Sequence, residues 1–204
     1  MRSITVNGIA ATPSKVICIG RNYVAHIEEL GNEVPDSMVV FLKPNSAIGD
    51  TLHAQREGEP LHYEGEIAFS VKDGELAGVG FGLDLTRRQL QSRLKEKGLP
   101  WERAKAFDGA ALFSDFVPLP ADISALEVEL RVDGQQRQRG GIDLMMFKPA
   151  DILAELKTFT TLEDGDIIMT GTPAGVGEVV AGERFDGAIF FGEEKLVSAI
   201  WIAK

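Results

Sequence analysis

The 204-residue chain has one cysteine, three histidines, and 21 basic residues against 31 acidic ones. Each scarcity excludes something. Cys18 cannot form an intramolecular disulfide, and in the apolar run Lys15-Val16-Ile17-Cys18-Ile19 it reads as a small buried hydrophobe rather than a nucleophile. A formal charge of −10 argues against nucleic acid or an anionic membrane as the main partner, because phosphate binding needs clustered Lys and Arg. No apolar run approaches membrane-spanning length, and Met1–Gly8 carries no apolar signal core. The expectation is a cytoplasmic protein. No repeat, low-complexity tract or linker breaks the chain, so residues 1–204 are expected to form a single domain around one sizeable core.

What is present centres on Leu61–Val71. Its residue types alternate as those of a half-buried strand do, with Tyr63, Ile67, Phe69 and Val71 on one face. His62, Glu64, Glu66 and Ala68 take the other. Two carboxylates on one strand face repel unless positive charge lies between them, so a metal ion, or water and a lysine, is implied there. A hairpin over Lys72-Asp73-Gly74-Glu75, returning through Gly78–Gly82, carries Asp84 back beside Glu66. Three carboxylates with no cysteine or clustered histidine select a hard divalent ion, Mg²⁺ or Mn²⁺, with Ca²⁺ the weaker candidate. Asp84 reads equally well as a helix cap.

Other segments read in order as follows. Strands are expected at 3–7, closed by Asn7-Gly8, at Val16–Ile19 and at Met38–Lys43. Asn22 caps a short helix running to Leu30, with Tyr23, Ile27 and Leu30 on its apolar side. Asp84 or Thr86 caps a second helix from Arg87 to Lys97. Leu126–Val132 pairs over Asp133-Gly134 with a polar edge strand, Gln135–Arg139. Pro149–Phe159 is an amphipathic helix whose apolar side is Ile152, Leu153, Leu156 and Phe159. Ile167–Thr170 is a strand, and a terminal hairpin joins 188–191 to 195–202. Many strands with three short helices and few strand–helix–strand alternations give a β-rich α+β fold rather than a doubly wound one.

His26 and Glu29, three apart on their helix, form either a general-base pair or a helix-surface pair without a role. Lys105, between Trp101 and Phe107, either meets an anion in a site or snorkels at the surface. His53 and His62 read as surface residues. Gly171–Gly177 lacks the Gly-Lys-Ser/Thr ending of a phosphate loop. It is a plain turn, or a close backbone approach to a ligand with the Thr172 hydroxyl as donor.

Taken in order, Gly20-Arg21-Asn22-Tyr23 with His26 and Glu29, Phe41/Lys43-Pro44, His62–Ala68, Leu83-Asp84-Leu85-Thr86, Pro100-Trp101 with Lys105–Asp108, and Gly165–Ile168 with Thr170–Gly177 form an ordered set of motifs. The set resembles the short members of the fumarylacetoacetate hydrolase family, from about Lys15 onwards. The resemblance implies a mixed β-roll, a homodimer, and a divalent metal on Glu64, Glu66 and Asp84. It implies a catalytic role for His26, Glu29 and Lys105, and substrate contacts from Arg21, Tyr23, Arg88, Gln91 and Thr172. Similar members act on acylpyruvates, fumarylpyruvate or oxaloacetate through a metal-stabilised enolate. C–C hydrolysis is the leading expectation here, oxaloacetate tautomerisation or decarboxylation the alternative, and a non-catalytic homologue the competing class. Only 17 residues separate Glu66 from Asp84, where similar members carry a longer insertion, so pocket wall and dimer edge are expected to differ.

Overall fold

Turn pairs that tolerate positive φ, placed between alternating apolar runs, build most of this chain into hairpins. The computed structural model describes residues 1–29, 31 and 34–204. Strands β1 (Ile4–Val6) and β2 (Ile9–Ala11) close over Asn7 and Gly8, at φ 51° and 77°. β3 (Lys15–Gly20) leads to α1 (Val24–Glu29), and β4 (Val39–Pro44) returns antiparallel to β3. Short strands β5 (Gln55–Arg56), β6 (Glu59–Pro60) and β7 (His62–Tyr63) precede the hairpin of β8 (Gly65–Lys72) and β9 (Glu75–Asp84). Then come α2 (Arg88–Glu96), α3 (Glu102–Lys105), β10 (Ala111–Phe113) and β11 (Val117–Pro118). β12 (Leu126–Val132), β13 (Gln135–Gly141), α4 (Pro149–Phe159) and β14 (Ile167–Met169) follow. The last strands are β15 (Gly177–Glu178), β16 (Arg184–Phe191) and β17 (Glu194–Ile202).

Seven strands form one curled sheet in the order β10-β9-β8-β14-β3-β4, with β11 also on β9. Within it β14 and β3 are parallel and the other strand pairs antiparallel. A second sheet has the order β13-β12-β16-β17. The main core lies between the two, where Ile67, Phe69, Phe81 and Leu83 meet Val128, Leu130, Phe185 and Ile189. α4 sets Ile152 and Leu156 against Ile17, Ile19 and Ile168. On the other face of β3, β8 and β14, residues Val16, Cys18, Ala68 and Met169 pack with Phe116. This is the β-rich α+β roll expected, with Cys18 buried as expected.

Several local expectations need correction. The strand expected over 61–71 is broken at Glu64, which lies between β7 and β8, and its longer part is not half-buried: Gly65–Val71 is buried throughout, because core lies on both sides of the sheet. Asn22 does not cap α1. Its amide donates to the carbonyls of Phe147 and Thr170, both at 2.9 Å, and its Oδ1 accepts from the Phe147 N–H at 2.7 Å. The extension of that helix to Leu30 lies outside the described residues. Neither Asp84 nor Thr86 caps α2, whose cap position is Arg87 without a side-chain hydrogen bond. The described residues hold four α-helices, not three, because the single turn of α3 is too short for periodicity to reveal. Phe159 stays 58% exposed at the end of α4.

The two sheets approach closely at Gly187, where an added Cβ would stand 2.3 Å from the Phe81 ring. Gly187→Ala is therefore expected to cost about 1–3 kcal/mol through overpacking. Urea denaturation measures it, and an unchanged midpoint would refute the packing argument.

Candidate metal centre and active site

The β8–β9 register brings three acids together. Glu66 pairs with Gly82, and the Asp84 N–H donates to the Glu64 carbonyl at 2.9 Å. One carboxylate oxygen from each of Glu64, Glu66 and Asp84 lies within 4.8 Å of the others, and all three residues are buried. Three like charges this close in a dry interior repel strongly, so cations or protons must accompany them.

Cations reach two of the acids. The Lys105 ammonium, at the end of α3, donates to Glu64 Oε2 and Asp84 Oδ2, each at 2.8 Å, and to Thr86 Oγ1 at 2.6 Å. Arg88, on the first turn of α2, pairs with Glu64 Oε1 and donates to Gln91 Oε1 at 2.9 Å. Lys43 is fully buried, with its Nζ 2.8 Å from Asp84 Oδ1 and donating to the carbonyls of Ala110 and Lys105. Burial alone would raise the Glu64 carboxyl, but Lys105 and then Arg88 hold it well below its ordinary range. Glu66 differs. Among the described residues it forms no ion pair, and its Oε2 accepts only the Gly171 N–H, at 2.7 Å. Burial, then the Asp84 and Glu64 charges, push its carboxyl well above the usual range. An under-compensated acid beside two oxygen donors is the chemistry a hard divalent ion satisfies, so the residues fit one.

The loop after β14 positions both this acid and the His–Glu pair. Gly171 sits at φ 96°, and a Cβ there would stand 2.9 Å from the Asn22 Cβ; only glycine lets its N–H reach Glu66. Gly175, at φ 102°, donates its N–H to both Glu29 oxygens at 3.0 and 3.1 Å. Glu29 Oε2 lies 3.4 Å from His26 Nδ1. Burial lowers the His26 pKa below 6.5, while the Glu64 charge and the Glu29 hydrogen bond oppose that shift. His26 is thus a neutral imidazole at pH 7, able to accept a proton.

One cavity gathers Arg21, His26, Arg88, Gln91, Lys105 and Thr172 around the three acids, walled by Phe41 and Trp101. Glu29 stands behind His26. Tyr23, expected to touch substrate, belongs instead to the main core between the sheets. Thr172 lines the cavity, but its hydroxyl proton is committed to the Gly65 carbonyl at 2.8 Å. Gln138 was missed: its amide donates to Thr172 Oγ1 at 2.7 Å and to the Pro173 carbonyl at 2.8 Å, while its Oε1 accepts the Gly65 N–H at 2.8 Å. Lys43 was visible only as part of a motif. His62 turns outward to Glu178, at 3.7 Å, and His53 is exposed.

Fold and site together define a β-roll enzyme whose buried acids can hold a divalent cation beside a His–Glu pair. The model of the fumarylacetoacetate (FAA) hydrolase C-terminal domain matches residues 15–198, and the chain belongs to that family. It is 37% identical over 195 residues to the oxaloacetate tautomerase YcgM of Escherichia coli (strain K12), covering 85% of this chain and 89% of the relative. With the mitochondrial oxaloacetate tautomerase FAHD1 of Arabidopsis thaliana it shares 38% over 192 residues, 86% of each chain. The crystal structure of fumarylpyruvate hydrolase from Pseudomonas aeruginosa, in complex with Mn²⁺ and pyruvate, superposes with a TM-score of 0.85 at 33% identity. That match covers 100% of this chain and 96% of that one.

Removing Lys105 strands two buried carboxylates. Lys105→Met is expected to cost about 3–5 kcal/mol in metal-free buffer. Millimolar Mg²⁺ should recover part of that loss in a thermal melt, whereas equal melting with and without Mg²⁺ would contradict the charge argument. Glu66→Ala, with the fold intact by circular dichroism, should weaken Mn²⁺ binding at least tenfold, on the order of 10–100-fold for altered ligand shells. Titration followed by electron paramagnetic resonance reads it, and unchanged affinity would remove Glu66 from the ligand set.

Proposed function

We infer that this chain, working as one catalytic domain with Mg²⁺ or Mn²⁺ on Glu64, Glu66 and Asp84, tautomerises oxaloacetate between its keto and enol forms, with decarboxylation of the same acid as a related outcome. The observation that carries the reading is the charge count of the site. Three carboxylates, Glu64, Glu66 and Asp84, stand beside three cations, Lys43, Lys105 and Arg88, which pair with Glu64 and Asp84 and leave Glu66 without an ion pair among the described residues. A divalent ion then leaves these six groups with an excess of two positive charges; Arg21 and Lys95 also line the wall and stand outside that count. A small dianion neutralises that excess, and a neutral acylpyruvate tail does not. The relatives named as oxaloacetate tautomerases favour this reading over C–C hydrolysis, the leading expectation from sequence.

When bound, a divalent ion supplies the charge that favours negative charge developing on the 2-oxo oxygen. The chain's own residues do the rest. His26, neutral and held by Glu29, takes the proton from C3; the 2-oxygen gains one, so the net change is a proton shift without water. Lys105 spends its three N–H donors on Glu64, Asp84 and Thr86, so at the cavity lining it holds two of the acids in place and contributes positive charge toward an anionic substrate. Gln91 and Thr172 complete the lining. Assembly as a homodimer belongs to the same proposal. It is supported by the outer side of β17, where Ile200 and Ile202 are about half exposed, 53% and 51%.

With Mg²⁺, the protein should accelerate the decay of enol-oxaloacetate absorbance more than it cleaves acetylpyruvate or fumarylpyruvate; the reverse order would restore hydrolysis. His26→Ala should lose about 10²–10⁴ in turnover, the usual worth of a general base. In wild type the acid limb of kcat/KM should fall below pH 6.5, since His26 must be neutral and burial lowers its pKa. Glu29 opposes that lowering, so Glu29→Gln should move the limb to still lower pH while reducing the plateau. A limb that stays in place would separate Glu29 from His26.

A further inference from the structure

α2 turns Arg88, Gln91 and Lys95 toward the cavity at intervals of three and four residues, the spacing that stacks side chains on one helix face. Arg88 and Gln91 are engaged with Glu64 and with each other. Lys95 stands apart from that network. Among the described residues no carboxylate forms an ion pair with it, and its ammonium rests over the Trp101 ring, 5.0 Å from the centroid. Trp101 itself is braced by Phe41, at 5.9 Å between ring centroids. Burial, followed by the charges of Arg21, Arg88 and Lys105, lowers the Lys95 pKa to about 8, against an opposing pull from Glu64. Lys95, without a carboxylate partner among the described residues, thus lies at a wall that other cations also line, while the acids are collected on the floor. An anion entering beside Lys95 relieves that like-charge proximity.

We propose that Lys95, together with Arg21, forms the subsite for the distal carboxylate of a dicarboxylic 2-oxo acid, and so selects it over 2-oxo acids with uncharged tails. The proposal rests on reading the three-acid site as a 2-oxo-acid site. One carboxylate and its neighbouring oxygen lie at the floor, near Glu64, Glu66 and Asp84. The second carboxylate then lies at the α2 wall, where Trp101 limits how far the Lys95 ammonium can swing. Lys95 acts on affinity and selection; the proton transfer belongs to His26.

The test compares ligands that do not react. Malate and lactate share a 2-hydroxy acid and differ by the distal carboxylate, while oxalate probes the floor alone. Calorimetry with Mg²⁺ should give the wild type at least a tenfold preference for malate over lactate. Lys95→Met should cut that preference at least fivefold, leave oxalate affinity within twofold, and be rescued by Lys95→Arg. In turnover, the same change should raise the KM for oxaloacetate at least tenfold with kcat within threefold. A wild type that does not prefer malate, or a preference that Lys95→Met leaves untouched, overturns the subsite while oxalate binding keeps the floor. If oxalate itself fails to bind, the 2-oxo-acid reading falls and takes the subsite with it. Binding as expected without any tautomerisation overturns only the reaction assigned above.

Discussion

Three buried carboxylates with oxygens within 4.8 Å of one another are among the least stable arrangements a protein interior can hold, and the surrounding structure is organised by the need to offset them. Glu64, Glu66 and Asp84 are forced together by the β8–β9 register, which cannot slip by one residue without turning Glu66 to the opposite face of a sheet buried on both sides. Compensation arrives from distant segments. Lys43 comes from the edge strand β4, Lys105 from the single turn of α3, and Arg88 from the start of α2. Helices that look peripheral in the topology therefore serve as carriers of positive charge.

The compensation is uneven, and the unevenness is chemically useful. Glu64 and Asp84 are neutralised by permanent cations, whereas Glu66 is met by a backbone N–H alone. Full neutralisation would leave nothing for a metal ion to gain, and none would leave a site too repulsive to fold. The glycine-rich loop after β14 regulates both ends of this balance. Its Gly171 holds Glu66 and its Gly175 holds Glu29, so floor and proton acceptor share one mechanical support.

Hairpins were legible because Asn7-Gly8, Asp73-Gly74 and Asp133-Gly134 encode positive φ directly in residue type. The three acids were legible because alternation says which way a strand residue points and a hairpin return says what stands beside it. Neither rule reaches Gln138. It lies in a polar strand that reads as an exposed edge, and becomes buried only because the 171–177 loop docks upon it. Lys43 was hidden for a related reason: a lysine near a strand end is ordinarily solvated, and only its carbonyl cage shows otherwise. Helical spacing placed Tyr23 on an apolar side, which its burial in the core matches; the substrate contact came from the family resemblance alone. The caps expected of Asn22, Asp84 and Thr86 failed since each side chain finds stronger partners in tertiary contacts than at a helix end.

The two halves of the site differ in how much chain must exist before they form. All three acids fall between residues 64 and 84, joined by a local hairpin whose closure costs little chain entropy. The latch from Gly175 to Glu29 spans 146 residues and lies just beyond β14, the strand that pairs with β3. On a ribosome, the hairpin that carries the three acids can therefore be made before the last third of the chain, although Glu66 still waits for the Gly171 N–H from that part. The proton acceptor above it is finished near the end of synthesis. An intermediate stalled before that point would hold the ion-binding hairpin without the geometry to use it, so the chemistry is withheld until the fold is nearly complete.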